Sequence, residues 1–412
     1  MIAPRRATVW MVGVTGALLP SYFFRYHLGP LPTTVLENLI LVTAAIYAYA
    51  LITERRMPTA RSWLDIPIAL LLVAGLVGIA VAPDHTRAVG IYRAYFIEAI
   101  AMYYIAVDVI RTREDLHLVL AIMAIGMSLF ALGQVGRFAE AVASHSIEVD
   151  NGPAFLNTSA NAVAMFLEPA LAFAVAFVLY GSGARQRWVA LACSLLLFVA
   201  MLLTLSRASY LSMAALAVVL VVTLPNPRWR IAAIAALAVI ALVVIELPIF
   251  SQRLGTFAHS VQLRTSIYSQ ALKMLAQRPI TGAGFSGFPV RVAPFRPGSQ
   301  EIELYPHNLW LTTWSELGLL GLGAFAVIFF GLLWRGWRSV SRLDGAYLAA
   351  AWGVVGTLVL YLVHGLFDSP YWKNDLSVEF WLVAAFATIC ARAAAGQALR
   401  AGAAVQSRSS SA

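Results

Sequence analysis

Apolar stretches long enough to cross a bilayer recur along nearly the whole chain, and no other feature constrains its fold as much. A membrane helix needs about 20 predominantly apolar residues, because a helix carries its own backbone hydrogen bonds through hydrocarbon. Such stretches fall near 7–24, 31–52, 64–82, 90–110, 116–137, 161–181, 188–205, 209–224, 231–250, 308–334, 346–366 and 378–396. The expected fold class is all-α: a polytopic membrane helical bundle of about twelve transmembrane helices, with one large outer loop containing an amphipathic helix. Only 12% of residues are charged, half of the roughly 25% usual in soluble domains. That shortfall puts most of the chain in a solvent that rejects charge.

The basic residues set an orientation. With the N-terminus inside, the inner segments carry Arg5 and Arg6, then Arg55, Arg56 and Arg61, Arg111 and Arg113, Arg185 and Arg187, Arg228 and Arg230, Arg335, Arg338 and Arg342, and finally Arg392, Arg400 and Arg408. Every inner segment is basic, as the positive-inside bias requires. The formal charge of +9 is thus topological, and nucleic-acid binding is set aside. Residues 1–396 read as one membrane domain and 397–412 as a disordered cytoplasmic tail. The first apolar run has no small-residue cleavage site after it and is expected to stay as a span. Cys193 and Cys390 lie inside apolar runs and read as buried thiols.

Basic residues that defy the bias are informative. Arg253, Arg264, Lys273, Arg278, Arg291 and Arg296 all fall in 251–307, the one long hydrophilic loop. Long loops in compact proteins carry function or are disordered, and this one has helical periodicity. From Leu263 to Arg278, the residues Leu263, Ile267, Tyr268, Ala271, Met274 and Leu275 share a face, with Ser266, Ser269, Gln270, Lys273 and Gln277 opposite. Arg264 points into the apolar face, which costs free energy unless it meets an anion or escapes to water. Arg207 sits in a very short outer turn among Thr204, Ser206 and Ser209. His307 marks the junction of loop and span, and Glu316 lies about 13 Å of helix rise further on, inside the span. Asn157, Asn161, Arg93, His364 and Asp368 add polar groups at the outer face, and Glu98 and Glu168 lie within spans. The stretch Gly282-Ala283-Gly284-Phe285-Ser286-Gly287 spells a dinucleotide-binding fingerprint. No strand precedes it and no βαβ unit surrounds it, so it reads as a tight turn.

The ordered set of these residues resembles the O-antigen ligase and polymerase superfamily. It comprises Ser206-Arg207, Arg264, Arg278-Pro279-Ile280-Thr281-Gly282-Ala283-Gly284-Phe285, and Pro306-His307-Asn308-Leu309-Trp310-Leu311 with Glu316-Leu317-Gly318-Leu319-Leu320-Gly321. Phe155-Leu156-Asn157 with Asn161, and His364-Gly365 with Asp368, resemble the flanking motifs, and the likeness covers about 150–380. The resemblance implies a glycosyltransferase of the bacterial inner membrane, working at the periplasmic face. It implies transfer of a glycan from an undecaprenyl diphosphate carrier to a sugar hydroxyl of lipid A–core, without metal or cofactor and with inversion. Polymerases of the same superfamily pass the glycan to another carrier-linked repeat.

The residues agree with that chemistry. A diphosphate leaving group gathers negative charge, and without metal it needs guanidinium groups; Arg207 and Arg264 are the outer arginines least explained by topology. A hydroxyl acceptor needs a base, the role expected of His307, whose ring the adjoining helix N-terminus should keep neutral. The expected catalytic residues are therefore His307, Arg207 and Arg264. Arg207, Arg264, Arg278, Asn161, Glu316 and Asp368 are expected to bind substrate, with no DxD motif to hold a metal. A secondary transporter is the competing class, but the two halves show no repeat and the spans no paired glycine or proline breaks.

Overall fold

The computed structural model describes residues 3–409 except 30, 149–151, 157–158, 225, 247, 256 and 299–300. Each of the twelve expected spans contains helix. The helices are α1 (Pro4–Ala17), α2 (Val35–Thr53), α3 (Asp65–Val81), α4 (His85–Tyr92), α5 (Glu98–Val109), α6 (Arg113–Ala143), α7 (Ala160–Tyr180), α8 (Ala184–Leu202), α9 (Arg207–Thr223) and α10 (Pro227–Glu246). The long loop contributes α11 (Pro248–Gly255), α12 (Phe257–Gln277) and α13 (Phe288–Val292). It leads into α14 (Leu309–Val340), α15 (Gly345–His364) and α16 (Asn374–Ser409). Among the described residues, seven helices are long and apolar enough to cross a bilayer: α2, α6, α7, α8, α14, α15 and residues 374–397 of α16. The apolar helices α3 and α9 and the 230–239 part of α10 are shorter.

The chain departs locally from the expected pattern. The first span is a 14-residue helix followed by a 3-10 turn at Leu19–Phe23. Strands β1 (Arg25–Leu28) and β2 (Leu31–Thr34) then form an antiparallel hairpin, Arg25 opposite Thr34. A π-helical turn at 93–97 joins α4 to α5. Pro248 opens α11, a first-turn position where its missing N–H leaves no helix bond unmade. Helix α16 runs on to Ser409, past the expected start of a disordered tail at 397. Alanine, the strongest helix former, recurs in that stretch, at 398, 401, 403 and 404.

Burial sorts the helices. The membrane-length parts of α7, α15 and α16 are mostly enclosed, whereas α2, α6 and α8 turn most of their surface outward. Aromatic side chains lock the centre, with Phe325, Phe380 and Tyr371 in mutual contact across α14, α16 and the turn before α16. Several of the basic segments gather at one end. Arg5 pairs with Asp115 at 2.7 Å and Arg56 with Asp108 at 2.7 Å, and Arg113 pairs with Asp344. Arg392 donates to the Arg61 carbonyl at 2.8 Å. The long loop and the turn after α15 lie at the other end.

Helix α14 is broken at Gly318, whose φ of 68° and ψ of −171° are not helical. The glycine-rich stretch fills the break: Ala283 N–H donates to the Ser315 carbonyl at 2.6 Å, and Leu319 N–H to the Ile280 carbonyl at 3.0 Å. A Cβ on Gly318 would stand 2.0 Å from the Ile280 oxygen. The two glycine motifs of the sequence are therefore the two halves of one backbone docking, which accounts for the fingerprint-like spelling without a nucleotide.

Candidate active site

Five segments meet at the end opposite the basic pairs: the α8–α9 turn, α11, α12, the start of α7 and the turn after α15. Between them lies a cavity of ≈ 210 Å³ lined by Asn161, Arg207, Arg253, Ser260, Arg264 and Phe367, among others. Three guanidinium groups thus border one small space. Local chemistry fixes each. Ser206 caps α9, its hydroxyl accepting from Ser209 N–H at 3.3 Å. Leu205, in the left-handed region at φ 57°, offers its carbonyl to Arg253 Nε at 2.8 Å. Arg207 donates to the Arg253 carbonyl at 3.3 Å and to the Ser260 hydroxyl. Arg264 donates through Nε to the Phe367 carbonyl at 2.8 Å.

That last contact resolves the cost of an arginine on an apolar face. The face itself packs Ile267, Ala271, Met274 and Leu275 onto Ala283, Phe288 and Val292, and Arg264, one turn earlier, reaches past it to the α15 turn. Two face assignments differ from the periodicity: Leu263 is 42% exposed and Gln270 only 6%. Helix α12 packs on the start of α14, the glycine-rich segment and α13, and that surface, not the period alone, sets which residues are covered.

His307 heads α14 with a left-handed φ of 53°. A non-glycine residue there costs on the order of 1–3 kcal/mol and persists only where its surroundings over-determine it. Here they do. Asn308 caps α14, accepting from Trp310 and Leu311 N–H at 3.0 and 3.1 Å. Leu309 N–H donates to the Gly365 carbonyl at 2.7 Å, and the Tyr268 hydroxyl donates to the carbonyls of His307, at 3.0 Å, and Leu366.

The ring lies between two carboxylates. Nδ1 is 3.4 Å from Asp368 Oδ1 and Nε2 is 3.0 Å from Glu303 Oε2; Tyr305 packs on it with centroids 4.5 Å apart. Burial disfavours charge on the ring, but the hydrogen bond and charge of Asp368, then those of Glu303, outweigh it and raise His307 to about 9. Burial likewise opposes the Asp368 carboxylate, yet the charge of His307 holds it well below the usual range. The neutral ring expected from the sequence is thus overturned: a helix end offers about half a charge, and two whole carboxylates exceed it.

Asn161 joins the two halves. Its Nδ2 donates to Asp368 Oδ2 at 3.0 Å, and its Oδ1 accepts from the Ser206 hydroxyl at 2.7 Å, next to Arg207. Beneath Asp368, the fully buried His364 Nδ1 meets Glu168 Oε1 at 2.6 Å, and Ser212 donates to the same oxygen at 2.6 Å. The structure therefore brings together Arg207, Arg264, Asn161, His307 and Asp368. It does not bring in Arg278, exposed past the end of α12, or Glu316, whose Oε2 accepts from Ser286 N–H at 2.6 Å and anchors the glycine-rich turn. Asn157 lies outside the described residues. Sequence reasoning missed Arg253 and Glu303. The first was visible only as one more loop arginine, the second only as a carboxylate four residues before His307.

Residues 192–326 match the family model described as O-antigen ligase. The match supports the O-antigen ligase superfamily. The matched O-antigen ligase segment, a third of the chain, includes Arg207, Arg253, Arg264, Glu303 and His307; Asn161 and Asp368 come from outside it. No curated protein matches the chain.

Proposed function

We propose that the protein transfers an O-antigen glycan from an undecaprenyl diphosphate carrier to a sugar hydroxyl of lipid A–core, at the periplasmic face of the bacterial inner membrane, in lipopolysaccharide biosynthesis. One observation carries the reading: a three-arginine cavity tied through Asn161 to the His307–Asp368 pair. The arginines suit a diphosphate, whose charge rises as it leaves and which planar guanidinium forks bind bidentately. His307, oriented by Asp368, suits the acceptor. Its deprotonated Nε2 takes the hydroxyl proton as the acceptor oxygen attacks the anomeric carbon, the carbon–oxygen bond to phosphate breaks, and the diphosphate leaves with the electron pair. Attack opposite the leaving group inverts the anomeric centre.

The test uses purified protein, a carrier-linked glycan donor, and either lipid A–core or a second carrier-linked repeat as acceptor. Transfer to lipid A–core is expected, and His307→Asn should lower it by about 10² or more while donor affinity holds. Transfer only to the carrier-linked repeat replaces ligase by polymerase. Near-normal transfer by His307→Asn, or a loss confined to donor binding, removes the general-base role.

A further inference from the structure

The two carboxylates on His307 are not built alike. Asp368 is buried, with 4% of its side chain exposed, in the tightly bonded turn after α15. Glu303 has 28% of its side chain exposed and stands on the non-helical segment leading to α14. They also hold different nitrogens. In a carboxylate–imidazole pair the orienting acid takes one nitrogen and the other faces the group that loses its proton. Asp368 faces Nδ1 and Glu303 faces Nε2 at 3.0 Å. That is a hydrogen-bond distance, where an acceptor hydroxyl would stand.

We propose that Glu303 occupies the seat of the acceptor hydroxyl on His307 in the resting protein, masks the base, and makes the site choose a sugar hydroxyl over water. The proposal rests on the transfer reaction above. A glycan on a diphosphate is an activated donor, and a neutral base beside it would activate water as readily as an acceptor. Water has no remote contacts with which to displace a carboxylate, whereas a sugar acceptor binds through groups far from the reacting hydroxyl. When the acceptor arrives, Glu303 swings outward on its exposed segment and the proton held between it and Nε2 passes to solvent. Nε2 is then free to take the acceptor's proton as the new bond forms. The other groups around the pair stay in place: Asp368 in the turn after α15 and Tyr305 against the ring, Tyr268 on the His307 carbonyl, and Arg264 on the Phe367 carbonyl. The hydrogen bond and charge of His307 favour the Glu303 carboxylate, and the charges of Arg264 and Asp368 bear on it with opposite sign.

Glu303→Gln tests the idea, because it keeps the shape and removes the charge. In purified protein given carrier-linked donor and no acceptor, the variant should release free glycan about tenfold faster than the parent near neutral pH. Losing one neighbouring carboxylate should lower the His307 pKa by about one unit or more, which multiplies the neutral ring by about ten. The acid limb of the pH–rate profile should move down by the same amount, and Glu303→Asp should restore part of the parent's protection. Glu301→Gln, on the same segment and exposed, should change neither. An NMR titration of His307 needs no substrate and separates the two ideas. A lower midpoint in Glu303→Gln with no transfer by any protein sinks the proposed function, and the mask's role in choosing the acceptor with it, leaving Glu303 only as a charge partner of His307. An unchanged midpoint, or unchanged water release in a protein that does transfer glycan, overturns the mask.

Discussion

Asp368→Asn probes the centre of the site. The raised value of about 9 for His307, against about 6.5 for an ordinary histidine, corresponds to about 3 kcal/mol of preference for the charged ring. The hydrogen bond and charge of Asp368 lead the causes that raise the His307 value, so a substantial part of that preference should go with Asp368. His307 should then titrate at least one unit lower. The amide oxygen can still accept from Asn161 Nδ2, so the fold should persist. The sign of the stability change follows from the raised value. An imidazolium held by a partner stabilises the fold fully below the ordinary histidine pKa, and that contribution fades as pH rises through about 9. The variant should therefore lose about 2 kcal/mol relative to the parent near pH 6, and the gap should close by pH 10. Transfer should fall by about 10² or more, because Nδ1 loses the group that orients the ring, even though the neutral ring is easier to reach. Thermal unfolding at several pH values, His307 titration and single-turnover transfer check the three parts. A His307 midpoint still near 9, or a stability gap that does not vary with pH, refutes this account of the pair.

Arg207→Lys and Arg264→Lys should each weaken donor binding by about 2 kcal/mol or more, since an ammonium lacks the planar fork; Arg278→Ala should stay within about threefold of the parent in donor titrations. Equal effects at all three positions would contradict the cavity as the diphosphate site. Gly318→Ala should destabilise by more than about 2 kcal/mol, because its Cβ meets the Ile280 carbonyl and its φ is left-handed. A thermal midpoint unchanged in that variant would disprove the docking of the glycine-rich turn into α14.

What could be read from the sequence followed from the solvent. Hydrocarbon rejects charge and unsatisfied backbone, so apolar length located helix in all twelve expected spans. Basic spacing likewise marked several segments that meet at one end, among them those of Arg5, Arg56, Arg113 and Arg392. The same rule exposed Arg207 and Arg264 as cations with no topological reason, and both border the cavity. Where the sequence misled, the cause was tertiary. The break at Gly318 exists because the 280–287 backbone enters it, and no local propensity announces a partner so far away. Gln270 is buried although it lies opposite the apolar face of α12, which the period of one helix does not show.

Composition, period and motifs along one chain sufficed for the membrane-bundle class and for the loop and residue types of the candidate site. Packing alone settled which of those residues stand together. It joined Asn161 of α7 to Asp368 across 207 positions of sequence, withheld Arg278 and Glu316, and added Arg253. It also reversed the expected charge of His307. A pKa depends on what stands within a few ångströms of the ring, and Asp368 arrives there only through the packing of α15 against α7 and α14.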